Sequence, residues 1–186
     1  MQVVYDVRYI ITVLQTLLVL AASSQNISEI RSEFHSVVLN PDDSRIFHDF
    51  VSEIENPSPT VQAYQAVSEA LLAQVVWNPF NKLKQVIKYN DQMKEVIEMD
   101  PHNVEIRFLR LAIEYNLPSF LGMSTHMEED VDKIVSNLSN ISRMQVSPHF
   151  GKYIFGFLEQ TDLCSPNQLA QMKRSFDGVV ITAGME

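Results

Sequence analysis

Apolar residues recur three and four positions apart in segment after segment of this chain, the spacing of amphipathic helices. The most sharply bounded segment is Asp100 to Gly122. Asp100 or Asn103 supplies a helix cap, Pro101 fits the first turn, Asn116 suits a left-handed exit and Pro118 forbids continuation. At about 100° per residue, Val104, Phe108, Leu111, Ala112 and Tyr115 fall on one side of this helix, and Ile106, Leu109, Ile113 and Leu117 on the other. Asn103, Arg107, Arg110 and Glu114 form a narrow polar stripe between them, and Glu105 and Asn116 a thinner one. Two apolar faces predict a helix packed between neighbours.

The same reading predicts seven further helices. Ile27, Ile30, Phe34, Val37 and Val38 follow a capping-box pair at Asn26 and Glu29; Ile46, Phe47, Phe50, Val51 and Ile54 follow the break at Asn40-Pro41. Ser58-Pro59 opens a third helix running to Trp77, and Asn78-Pro79 a fourth. Thr125 with Glu128, Ser147-Pro148 and Ser165-Pro166 open the last three, and Asp177-Gly178 is expected to close the eighth. Pair starts near Asn26, Ser58, Asn103 and Ser147 give units the size of helical repeats. The expected fold is all-α: antiparallel hairpins stacked as a short solenoid, forming one domain over residues 25–178, with 179–186 a loosely docked tail.

Composition narrows the partners. The chain of 186 residues is 46% hydrophobic, enough for a core, and carries a net charge of −9, which argues against nucleic acid as a partner. Ahead of the helices, Tyr9 to Ala22 is an apolar run followed by Ser23 and Ser24, the layout of a secretory signal peptide over residues 1–24 with a cut before Gln25. The alternatives are a buried first helix and an uncleaved anchor at residues 9–22, the one case in which a membrane becomes a partner. The expected location is the periplasm or cell envelope.

Candidate chemistry is sparse. No nucleophile elbow or phosphate loop is present, and no cofactor is implied. His126 and Asp130 have i, i+4 spacing, but acids in the first turn of a helix are also what its dipole favours, so no metal site is assigned. The lone Cys164 excludes an internal disulfide; it lies near a helix start, where a thiol pKa can fall, with no neighbouring His to serve as base. Asn26, Asn137 and Asn140 match the glycosylation pattern, which matters only in a eukaryotic secretory pathway. Lys82, Lys84 and Lys88 sit in the first half of the fourth helix, with Asp91, Glu95 and Glu98 in the second, both halves opposing the helix dipole. The lysines are a secondary candidate anion patch. The main candidates are Arg107, Arg110, Glu114 and Glu105: either an interhelical ion-pair network or a grip on a carboxylate of a ligand or partner.

Asp100-Pro101-His102-Asn103 resembles the turn that closes a tetratricopeptide repeat. Phe108, Leu111, Ala112 and Tyr115 resemble the spacing of the next repeat's first helix, with one residue inserted in the turn. Tyr89 stands where that family has a small Ala, and nothing after Gly122 keeps the register. Glu105 to Leu111, with Pro118, Phe120, Leu121, Gly122, Glu129 and Asp130, is similar to a family of short exported helical proteins of Gram-negative bacteria, over about Gln25 to Leu158. These resemblances imply a helical-hairpin fold and export but no chemistry. The expected function is a non-enzymatic module that binds protein or peptide; the alternative is a small-ligand binder or enzyme with a polar pocket around Arg107 and Arg110.

Overall fold

The computed structural model describes residues 27–140 and 146–183, with side chains to residue 176. The expected signal peptide and the Asn26 cap lie outside the described residues. Those residues form helices α1 (27–39), α2 (Ser44–Ser52), α3 (Pro59–Val75), α4 (Pro79–Met99), α5 (Val104–Asn116), α6 (Met127–Leu138), α7 (Pro148–Gln160) and α8 (Pro166–Ala183). Short 3-10 turns at Pro41–Asp43 and Ser119–Leu121 complete the described elements, and no strand occurs among them. The all-α expectation holds.

Local chemistry explains most boundaries. Asn78 Oδ1 accepts from the N–H groups of Phe80 and Asn81, Asn103 Oδ1 from those of Glu105 and Ile106, and Ser147 Oγ from that of Phe150. These bonds satisfy donors that the first helical turn leaves free. Ser165 and Gln168 form a reciprocal capping box.

Three expected boundaries are corrected. Asn116 is not a left-handed exit: it remains helical and donates to the Ala112 carbonyl, and the chain leaves through extended Leu117. The left-handed residue is Gly122, at φ 64°, where a side chain would be strained. Thr125 does not cap α6, whose N-cap is His126 without a side-chain cap bond. Nor does α8 stop at Asp177-Gly178; it continues to Ala183, since one Gly costs a helix only about 1 kcal/mol.

The two faces of α5 belong to two hydrophobic clusters. Ile106 and Leu109 join residues of α1 to α4, including Phe34, Phe47, Tyr64, Val67 and Met93. Val104, Phe108 and Leu111 join residues of α6 to α8, including Ile134, Leu138, Ile154, Leu158 and Met172. The Phe108 ring meets Phe150, Tyr153 and Phe157 of α7 edge-on, at 5.4–5.9 Å between centroids. Helix α3 is as central as α5. Alanines 63, 66, 70 and 73 let neighbours approach closely, and it packs against α2, α4 and α5. In the second cluster α7 approaches α8 through Gly151, where a Cβ would lie 3.1 Å from the Phe176 ring.

Candidate functional site

Four candidate residues share the polar edges of α5, and the structure sends them to three different places. All four are buried. Arg107 and Arg110, only 4% and 7% exposed, converge on Asp130 of α6, which is 0% exposed. Arg110 donates from Nε and Nη2 to the two Asp130 oxygens at 2.7 Å each, a bidentate fork. Arg107 Nη1 donates to Asp130 Oδ1 at 3.0 Å and to Glu129 Oε1 at 2.7 Å, while its Nε and Nη2 donate to the Pro101 carbonyl. Burial works against the Arg110 charge, but the bonds and charge of Asp130, with the fields of Glu114 and Glu129, overcome it and raise its pKa. The Arg107 bond holds the Glu129 carboxyl below the ordinary carboxylate range.

Glu114 does not bond to either arginine. Its carboxylate accepts from the His126 backbone N–H at 2.9 Å and meets His126 Nδ1 at 2.7 Å, so it holds the first turn of α6. Glu105, on the opposite edge of α5, takes Arg31 of α1 in a second fork at 2.8 and 2.6 Å and accepts from the buried Tyr64 hydroxyl at 2.8 Å. Burial, and then the Glu105 charge, push the Tyr64 pKa up.

These pairs account for α5 as a tie. Each buried charge has a bidentate or doubly bonded partner, without which its desolvation would cost several kcal/mol. Asp130 carries a readable signal, because it falls on the apolar stripe of Met127, Val131, Ile134, Val135 and Leu138. A carboxylate at such a position must have a buried partner. Glu105 and Arg31 are 74 residues apart, and nothing local marks them as a pair.

The remaining candidates also resolve. His126 and Asp130 turn to different partners, and among the described residues no three His, Cys, Asp or Glu side chains are grouped to hold a metal. Cys164 is buried in the second cluster, and burial, with the charge of Asp132, pushes its thiol pKa up, opposite to what a helix start alone suggests. The three lysines have different surroundings. Lys88 bonds to Glu69 of α3, which also meets His48, whereas Lys82 reaches the Gln74 carbonyl at 3.5 Å. No side-chain bond of Lys84 is among the described contacts.

Two cavities lie away from Arg107 and Arg110. One, of about 470 Å³, is an apolar groove where the start of α4 faces the end of α5; Lys82, Leu83, Val86, Ile113, Leu117 and Phe120 line it. Phe120 is 85% exposed beside it, and at the adjoining α3–α4 turn Trp77 and Phe80 are 98% and 83% exposed. The other, of about 440 Å³, lies between α1 and α7 and is the more polar of the two, with Arg31, His35, Tyr64, His149, Phe150 and Tyr153 in its walls. The Arg31 guanidinium stacks 5.1 Å from the Phe150 centroid. Sequence reasoning did not find either cavity, because each joins segments far apart in the chain.

Compared with protein-family models, with curated proteins and with solved structures, the chain has no match. Among the described residues, no helix is long and apolar enough to cross a membrane.

Proposed function

We propose that this protein is a non-enzymatic interaction module of the cell envelope, a short tetratricopeptide-like stack of helical hairpins that receives a peptide segment of another protein in the apolar groove between α4 and α5. The observation that carries this reading is Phe120, which lines that groove yet is 85% exposed, with Gln74 and Pro79 bringing the α3–α4 turn, where Trp77 is 98% exposed, to the groove's edge. Large rings held in water at the rim of a concave apolar surface are the usual anchors of an interface. The charged side chain in the lining is Lys82, and α4 has no acid in its first turn. The fitting segment is therefore an amphipathic helix or strand with bulky apolar residues and a flanking carboxylate. Export is part of the reading, supported by the apolar run Tyr9 to Ala22 and the small residues after it.

Trp77 is the chain's one tryptophan, so its emission reports directly on this corner. Two amphipathic peptides with the same Leu/Phe face, one flanked by Glu and one by Lys, serve as probes. The Glu-flanked peptide should shift the emission to the blue and saturate, and Leu83→Asp should abolish the shift. No shift with either peptide overturns the groove reading, and a shift produced only by lipid vesicles replaces it with a membrane-docking surface.

A second reading has its own observation. The cavity lined by His35, His149 and Tyr153, with Arg31 held by Glu105 in its wall, offers a small ligand open space, whereas Arg107 and Arg110 are buried against Asp130 and Glu129.

A further inference from the structure

Helix α4 carries most of its charges the wrong way round for its own dipole, and the fold corrects this only in part. Lys82, Lys84 and Lys88 lie in its first half, and Asp91, Glu95 and Glu98, with Lys94 among them, in its second. Lys88 pairs with Glu69, but among the described residues Lys84, Lys94, Asp91, Glu95 and Glu98 form no ion pair. The core side of the helix is Val86, Tyr89, Met93, Val96 and Ile97, packed on α3 and α5. At 100° per residue the far side is a single stripe of Phe80, Lys84, Ile87, Asp91, Lys94 and Glu98. Phe80 and Ile87 on it are exposed.

We propose that this stripe is a self-complementary surface on which a second copy of the chain docks, α4 against α4, antiparallel about a two-fold axis through Ile87. In an isologous interface each residue meets its mirror position, so a surface basic at one end and acidic at the other fits its own antiparallel copy. With Ile87 on the axis, the position opposite Lys84 is residue 90. Asp91 of the partner subunit is then offset by one helical rise, about 1.5 Å. Phe80 comes to rest on the stem of the partner's Lys94. Glu95 reaches the acid-free start of the partner's α4, and the opposed dipoles favour the antiparallel sense. Each copy thereby supplies the neutralisation that the other lacks, and the exposed Ile87 is buried at the centre.

The test is the mass of the chain as isolated, with its N-terminus defined by intact mass, measured by sedimentation equilibrium over a range of concentrations. A concentration-dependent dimer is expected. Ile87→Glu should return it to monomer with an unchanged far-ultraviolet spectrum. Lys84→Glu and Asp91→Lys should each weaken association about tenfold, because each change turns two symmetry-related attractions into repulsions. The doubly swapped chain, Lys84→Glu with Asp91→Lys, should dimerise as the parent does. The two sites are seven residues apart on one helix and cannot meet within a chain, so that rescue reports a contact between copies. A monomer at every concentration, a dimer indifferent to Ile87→Glu, or failure of the double swap to restore association overturns the proposal.

Discussion

Asp130→Ala is the sharpest perturbation of the tie between α5 and α6. The Asp130 carboxylate is 0% exposed and accepts three guanidinium hydrogen bonds, two from Arg110 and one from Arg107. Removing it leaves Arg110 charged, buried and without its bidentate acceptor. Breaking a buried pair in this way costs about 3–5 kcal/mol. A domain of this kind has roughly 5–15 kcal/mol of stability in total, so the loss is a large share of it. With a urea slope of roughly 2 kcal/mol/M, the unfolding midpoint should fall by about 1.5–2.5 M. Glu129→Ala is the internal control. That carboxylate is half exposed and shares Arg107 with the Pro101 carbonyl and Asp130, so its loss should cost less than about 1 kcal/mol. Replacing the trio together, Arg107→Met with Arg110→Leu and Asp130→Leu, should recover much of the loss, since an apolar set of similar volume carries no desolvation penalty. The assay is urea unfolding followed by circular dichroism. If Asp130→Ala costs no more than Glu129→Ala, the arginines are not structural, and a ligand-binding role for them returns.

Further outcomes follow from the same contacts. Phe108→Ala should open a cavity in the second cluster and Leu109→Ala in the first, each costing about 2–5 kcal/mol in chemical denaturation. Tyr64→Phe keeps the ring and removes the bond to the charged Glu105, and should cost about 1.5–3 kcal/mol in the same assay. The lowered pKa of Glu129 means that its contribution is fully present above the ordinary carboxylate value of 4.5 and is lost as pH falls through the folded value. The stability difference between the parent and Glu129→Gln should therefore be constant above that value and vanish in acid. Cys164, buried and with a raised pKa, should react with a disulfide reagent only as fast as the protein unfolds; a rapid reaction in the native state would contradict its place in the second cluster.

Sequence periodicity located the helices and, in α5, both apolar faces, because the alternation of Ile106, Leu109 and Ile113 with Val104, Phe108 and Leu111 is a local signal. It also offered the arginine edge, grouped with Glu114, as either an interhelical ion-pair network or a grip on a ligand carboxylate, without a partner helix for it. The actual partner lies on α6, and Glu114 faces the His126 turn instead. Boundaries failed where two local rules competed. Pro118 stops α5 without a left-handed residue, and Gly178 is tolerated inside α8. The centrality of α3 was hidden because its second buried face consists of alanines, which carry little hydrophobic signal but admit neighbours closely. The cavities were illegible because they depend on how distant helices meet.

Site-specific photo-crosslinking in living cells tests the central claim most directly. A photoreactive phenylalanine analogue is placed at Phe120, on the groove, and in a separate chain at Glu129, on the arginine edge. The account predicts a discrete adduct from position 120 that disappears when Leu83→Asp is added, and none from position 129. An adduct from position 129 with none from position 120 would contradict it, and would move the binding surface from the groove to the edge of α5 and α6.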